Sequence, residues 1–138
     1  MSDATFDLTG RVAIVTGGGR GIGRAIALGL AGAGAAVVVA ARSGQEIEDV
    51  VREIRDKGGK ALAIVTDLTI NEQLENLVQK TLEAFGGRID ILVNNAARSF
   101  LRGLLDLRED GWDKVFDTNV KAVWLLSRRS RSPRRKLR

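Results

Sequence analysis

One stretch narrows the possible folds more than any other: Val12-Ala13-Ile14-Val15-Thr16-Gly17-Gly18-Gly19-Arg20-Gly21-Ile22-Gly23. An apolar run enters a cluster of glycines, and helical spacing begins at Arg24-Ala25-Ile26. The pattern predicts a buried strand, a tight turn and a helix N-terminus. Glycine admits φ > 0 and lets a bulky ligand come close to the backbone. A helix N-terminus adds free N–H groups and the positive end of the macrodipole. In that order the parts make a place for a phosphate or pyrophosphate. A glycine-rich turn without a ligand is the plainer alternative, but it leaves the order strand, glycines, helix unexplained.

The same alternation continues downstream. The first strand is expected over 11–15 and its helix over about 21–33, ended by Gly32 and Gly34. Ala36 to Ala41 is a continuous apolar run, as suits a parallel strand covered on both faces. Ser43 with Glu46 reads as a capping box, and Ile47, Val50, Val51 and Ile54 form the stripe behind it. A third strand is expected over 61–66. Thr69 with Glu72 reads as a second capping box before the stripe Leu74, Leu77, Val78, Leu82. A fourth strand is expected over 89–93, then a loop over 94–103. From about Glu109 a long helix places Trp112, Val115, Phe116, Asn119, Val120, Val123 and Trp124 on one face. Core packing is the expectation for every member of that face except Asn119. Four strand–helix alternations imply βαβ units, right-handed crossovers and a doubly wound parallel α/β sheet. In such a sheet ligands sit at the carboxyl ends of the strands. Thr16, Arg42, Asp67 and Asn94 all fall at expected strand ends and should converge there.

Composition excludes several chemistries. The 138 residues contain no cysteine, no histidine and no tyrosine. Disulfides, thiolate nucleophiles and the commonest general base are therefore absent from this sequence. No run of about 20 apolar residues is present, and no signal-peptide pattern opens the chain, so a cytoplasmic protein is the expectation. The net charge of +5 is uneven: seven of the 22 Lys and Arg residues lie in 127–138, leaving 15 basic against 17 acidic residues before it. Residues 1–126 thus read as one nucleotide-binding domain, and 127–138 as a basic tail expected to be disordered.

Several residues could carry chemistry. Dinucleotide sites usually place a carboxylate about 20 residues past the glycines, to accept from the ribose 2′-OH. Here Ala40-Ala41-Arg42 stands there instead. Arg42, with Arg20 inside the glycine turn, can pair with a 2′-phosphate through charge-assisted bonds. Either arginine alone could be a solvated side chain. Asp67-Leu68 follows the third strand and by spacing alone is an ordinary turn. Asn94-Asn95-Ala96 follows the fourth and is also common turn chemistry. Asn119 sits on an apolar stripe, where an amide costs free energy unless its hydrogen bonds are met.

The glycine spacing Thr16-Gly17-x-x-x-Gly21-x-Gly23, together with Asp67, Asn94-Asn95-Ala96 and Asn119-Val120, resembles the classical short-chain dehydrogenase/reductase family over roughly residues 8–126. The resemblance implies a Rossmann-like fold, incomplete at its C-terminal side. It implies a nicotinamide cofactor held by Thr16, Gly17, Gly19, Arg20, Gly21, Ile22, Gly23, Arg42, Asp67, Leu68, Asn94, Asn95 and Ala96. Basic residues at positions 20 and 42 go with NADP in that family, and NAD is disfavoured. Asp67 would bond the adenine amino group, and Asn94-Asn95-Ala96 would line the ribose. Asn119 would bond a backbone carbonyl and hold a water in a proton relay. The implied activity is oxidation or reduction of an alcohol or carbonyl: a sugar, an alcohol or a 3-oxoacyl group.

The sequence also departs from the family. The family's catalytic Ser and Tyr-x-x-x-Lys follow a fifth strand, and no counterpart stands here, so Asn119 is the one surviving member of the set. At Ser127 the text turns to Ser-Arg-Arg-Ser-Arg-Ser-Pro-Arg-Arg-Lys-Leu-Arg. The expectation is a truncated or frame-shifted oxidoreductase that keeps its cofactor half, is inactive alone and is prone to self-association. Two alternatives stay open: a non-catalytic nucleotide-binding module, and a protein that binds nucleic acid through its tail. The tail has no aromatic residue to stack on bases, so the last is disfavoured.

Overall fold

The structure, a computed structural model, describes residues 6–130. Four strands alternate with three helices: β1 (Val12–Thr16), α1 (Gly21–Gly32), β2 (Ala36–Ala41), α2 (Gly44–Asp56), β3 (Lys60–Val65), α3 (Asn71–Ala84) and β4 (Ile91–Val93). The strands form one parallel sheet in the order β3-β2-β1-β4. The chain steps outward from β1 to β3, then returns past β1 to β4. The switch point of the doubly wound fold therefore lies between β1 and β4, as the alternation implied. β1 and β2 are buried along almost their whole length, so their continuous apolar runs face helices on both sides. On one face α1 and α2 pack Ala27, Ile47, Val50, Val51 and Ile54 against Val15, Val37 and Val39. On the other, Leu74, Leu77 and Val78 of α3 pack against Ile14, Val38 and Ile64, joined by Leu126. Each such side chain, fully buried, stabilises the fold by about 1.5–3 kcal/mol.

The expected elements are present, with three shifts. β1 and β3 run one residue off the expected spans, and β4 is cut to three residues. The second capping box does not form. Asp67 Oδ1 accepts from both the amide and the hydroxyl of Thr69, at 2.9 and 2.7 Å. α3 starts one residue later than the box requires, so Ile70, not Thr69, holds the cap position, and its side chain cannot cap. The first box forms by half: Ser43 Oγ accepts from the Glu46 amide at 3.5 Å.

The long helix differs most. It runs as α4 (Glu109–Phe116), a π-helical segment (Asp117–Lys121) and α5 (Ala122–Arg129). Its buried members are Thr118, Ala122 and Leu126. Trp112, Phe116, Val120 and Trp124, expected in the core, are 53, 45, 57 and 57 % exposed. They form an apolar ridge instead, with Trp112 stacked on Phe116 at 4.6 Å and Arg128 over Trp124. Nor does the helix end where the basic text begins. It continues to Arg129, which pairs with Glu75 of α3 at 2.6 Å, and Ser130 is buried. Of the expected tail, residues 131–138 lie outside the described residues.

Candidate nucleotide-binding groove

A groove of about 740 Å³ opens at the carboxyl ends of the strands. Its lining comes from four places in the chain: the glycine turn, the end of β2 through α2's first turn, Thr66 to Leu68 after β3, and Asn95 to Arg98 after β4. Thr118 of the π segment adds to it. These are the strand ends that the alternation brings to one edge.

The glycines divide into two kinds. Gly17 has φ +63°, and a Cβ there would stand 2.9 Å from Ala96 Cα. A Cβ on Gly23 would stand 2.1 Å from the Gly17 carbonyl oxygen and 2.5 Å from Asn95 Nδ2. Both positions are glycine because backbone packs on backbone. Gly21 has φ +56° but nothing within 4 Å of a Cβ position, so its open side is the groove. Gly19 packs on α2: its Cβ position lies 2.9 Å from Glu46 Cβ and 3.3 Å from Glu46 Oε2. A Cβ on Gly18, not singled out from the sequence, would stand 2.6 Å from Val39 Cγ1.

Four expected site residues do not line the groove, and two of them, Thr16 and Asn119, hold its backbone in place. Thr16 is buried, and its hydroxyl donates to the Val93 carbonyl at 3.3 Å while accepting from the amides of Asn95 and Ala96 at 3.1 Å each. Its oxygen is committed to β4 and fixes the Asn95-Ala96 backbone beside the turn. Gly23 is buried under that same backbone. Asn94 points away, its amide donating to Ser127 Oγ at 3.4 Å. Asn119 clamps one residue with both ends of its amide: Oδ1 accepts from the Arg98 N–H and Nδ2 donates to the Arg98 carbonyl, each at 2.8 Å. The backbone bond implied by the resemblance is present, and its partner is Arg98.

The remaining expected residues do face the groove: Gly17, Gly19, Arg20, Gly21, Ile22, Arg42, Asp67, Leu68, Asn95 and Ala96. Asn95 also braces the turn, its amide donating to the Gly17 carbonyl at 3.1 Å. The Arg20 and Arg42 side chains enter no ion pair among the described residues. Asp67 stays ionised. The Thr69 hydroxyl, above all, holds its carboxyl below the ordinary value; partial burial opposes this, and the Thr69 amide and Arg42 pull the same way.

Several observations fit a dinucleotide. α1 begins at Gly21 with no side-chain cap and no acid in its first turn, so its free N–H groups and positive dipole end are left for an anion. Gly21 gives that anion room. The Thr118 hydroxyl is buried without a hydrogen-bond partner beside the groove, an unmet polar group of the kind ligands satisfy. Sequence reasoning missed Thr118, and also Glu46, whose carboxylate lies along the glycine turn. Glu46 was legible only as a capping residue. Its helix position, close enough to touch Gly19, needed the three-dimensional packing of α2.

A parallel doubly wound sheet with a glycine turn, an uncapped helix start and two arginines lining a groove at the carboxyl ends of its strands defines a nucleotide-binding α/β protein. The family follows from comparison: the family described as short chain dehydrogenase matches residues 11–131, and the chain belongs to it. A 3-oxoacyl-[acyl-carrier-protein] reductase of Synechocystis sp. is 41% identical over 122 residues, which are 88% of this chain and 49% of that protein. A hydroxynaphthalene reductase-like protein of Metarhizium robertsii is 40% identical over 121 residues, 87% of this chain and 45% of its own. The crystal structure of a metagenomic short-chain oxidoreductase in complex with NADP superposes with a TM-score of 0.84 at 41% identity, covering 88% of this chain and 55% of that one. The chain thus spans about half the length of the curated relatives it matches. Among the described residues no helix is long and apolar enough to cross a membrane.

Proposed function

We propose that the groove binds NADP in preference to NAD, and that the chain is the cofactor-holding half of an oxidoreductase acting on an alcohol or carbonyl: a sugar, an alcohol or a 3-oxoacyl group. The observation that carries this is the pair Arg20 and Arg42, unpaired at a groove where no carboxylate ends β2. Guanidinium groups bind phosphate by parallel charge-assisted bonds. When bound, the cofactor supplies or accepts the hydride. Gly17 to Gly23 and the start of α1 hold the pyrophosphate, and Arg20 with Arg42 holds the 2′-phosphate. Asp67 keeps one carboxylate oxygen for the adenine amino group, since Thr69 occupies the other. Leu68 gives apolar cover, and Asn95-Ala96 flanks a ribose. Thr16 and Asn119 act through the backbone they fix. A polypeptide of these 138 residues has no tyrosine or histidine to give or take the substrate proton, so it binds cofactor without turning it over. The test titrates NADP and NAD by calorimetry against the parent and Arg42→Asp. The expected result is tighter NADP binding that the variant loses by tenfold or more. Equal affinities in the parent would refute the preference.

A further inference from the structure

Glu46 works against the arginines. It is the third residue of α2, and its carboxylate lies along the glycine turn: Oε2 is 3.3 Å from where a Gly19 Cβ would stand. Gly19, Arg20, Arg42, Ser43 and Glu46 all line the same groove. The Glu46 side chain enters no ion pair among the described residues, and its amide, not its carboxylate, makes the bond to Ser43. The carboxylate is therefore held against the turn by packing on Gly19, with no ion-pair partner among the described residues and its oxygens free to accept.

We infer that Glu46 is a specificity-determining residue that holds down the preference for the phosphorylated cofactor. The inference rests on the reading that the end of the groove near Arg20 and Arg42 takes the 2′ substituent of the adenosine ribose. A phosphate there carries close to two negative charges at neutral pH, and a carboxylate beside it repels them. A free 2′-hydroxyl has a proton to donate, and a carboxylate is its best acceptor. Besides Asp67 at the adenine end, the groove thus holds two cations that favour the phosphate and one anion, Glu46, that favours the hydroxyl. The anion comes from the helix face, where the usual strand-end acid is missing. The result is a site of moderate selectivity that takes both cofactors, not one closed to NAD.

The test measures binding of 2′,5′-ADP and 5′-AMP, which carry the discriminating end without the nicotinamide, and of NADP and NAD, to the parent, Glu46→Gln and Arg42→Asp. Gln keeps the size of the side chain and is equally suited to the third helical position, so the fold is retained. Glu46→Gln is expected to bind 2′,5′-ADP and NADP about tenfold tighter, equivalent to 1.4 kcal/mol. Coulomb's law in a water-like medium gives an energy of this order for a dianion beside a single carboxylate. NAD and 5′-AMP should weaken by about two- to threefold. The gain in NADP affinity should shrink at 0.5 M salt, as screening requires. If Arg42→Asp lowers NADP affinity while Glu46→Gln leaves the ratio of the two cofactors unchanged or lower, the inference about Glu46 is wrong and the groove reading stands. If neither variant moves the ratio, the 2′ substituent lies elsewhere and both are overturned. A rise in the ratio for Glu46→Gln supports the inference whatever Arg42 does.

Discussion

Replacing Gly23 with alanine separates the packing of the glycine turn from its use as a cradle. The new Cβ would start 2.1 Å from the Gly17 carbonyl oxygen, so turn and helix must part by more than 1 Å to reach the 3.4 Å of ordinary contact. That movement breaks the bond from Asn95 Nδ2 to the Gly17 carbonyl, now 3.1 Å long. Overpacking costs about 1–3 kcal/mol, and the lost bond about 1 kcal/mol. Alanine returns up to about 1 kcal/mol as a better helix former. The net loss is about 1–3 kcal/mol, or a Tm lower by roughly 3–9 °C for a chain of this size. Two controls fix the interpretation. Gly10 and Gly21 both have positive φ, +81° and +56°, and nothing within 4 Å of a Cβ position. Each change to alanine costs about 1–2 kcal/mol of backbone strain. Gly10 lies at the opposite end of the sheet, so Gly10→Ala keeps cofactor affinity, whereas Gly21→Ala puts a methyl into the cradle and loses it by at least tenfold. Differential scanning calorimetry and cofactor titration report the two effects. A Gly23→Ala protein that melts at or above the parent temperature, or equal affinity losses for Gly10→Ala and Gly21→Ala, would refute this assignment of the glycines.

Three further outcomes are expected. Asp90 ties the start of β4 to β1 through the Val12 amide at 2.8 Å, and Arg88, with help from Arg11, holds its carboxyl below the ordinary value. A depressed folded-state value means this contribution is present above the unfolded pKa of about 3.9 and disappears as pH falls through the folded value. Asp90→Ala should cost about 1–3 kcal/mol near neutral pH by orphaning the Val12 N–H, and should flatten the acid limb of stability against pH in urea melts. The ridge Trp112, Phe116, Val120 and Trp124 should make the 138-residue polypeptide self-associate with rising concentration. Sedimentation velocity of Trp112→Glu/Trp124→Glu should then show monomer, and a parent that stays monomeric at high concentration would refute it. NADPH oxidation with ketones, sugars and 3-oxoacyl substrates should show no turnover by this polypeptide, because general acid catalysis alone contributes about a hundred- to ten-thousand-fold; turnover lost in Gly21→Asp would overturn that.

How legible the fold was depended on which force shaped each part. β1, β2 and the stripes of α2 and α3 are set by apolar periodicity, and that is a property of the text itself. The parallel order followed because four strand–helix alternations leave few right-handed solutions. The long helix failed for a definite reason. A constant 3.6-residue period puts Trp112, Phe116, Val120 and Trp124 with Val115, Asn119 and Val123 on one broad face. In the structure the buried row is Thr118, Ala122 and Leu126, and Trp112, Phe116, Val120 and Trp124 form an exposed ridge on both sides of the π segment Asp117–Lys121. Periodicity marks an apolar face but does not say whether anything covers it. Thr69 failed for another reason: α3 starts one residue later than the box requires, so Ile70 takes the cap position and Thr69 donates its hydroxyl to the Asp67 carboxylate instead.

The groove shows the same division at finer scale. Residues that meet a ligand through backbone or charge, such as Gly21 and Arg42, could be read from type and position, because few other purposes need those types there. Residues that hold the groove could be found in sequence but not assigned their partners. Thr16 and Asn119 each spend their polar atoms on a backbone segment distant in the chain: Thr16 on Asn95-Ala96, Asn119 on Arg98. Together they fix both ends of the stretch after β4, a strand of only three residues that pairs with β1 alone among the described strands. So short a ladder supplies too few hydrogen bonds to define where the following backbone goes. The buried hydroxyl and the half-buried amide supply the missing ones from the two sides of the groove. Asn119 stands in the π segment beside Thr118, so one irregular turn carries both the amide that clamps Arg98 and the hydroxyl that completes the wall of the groove.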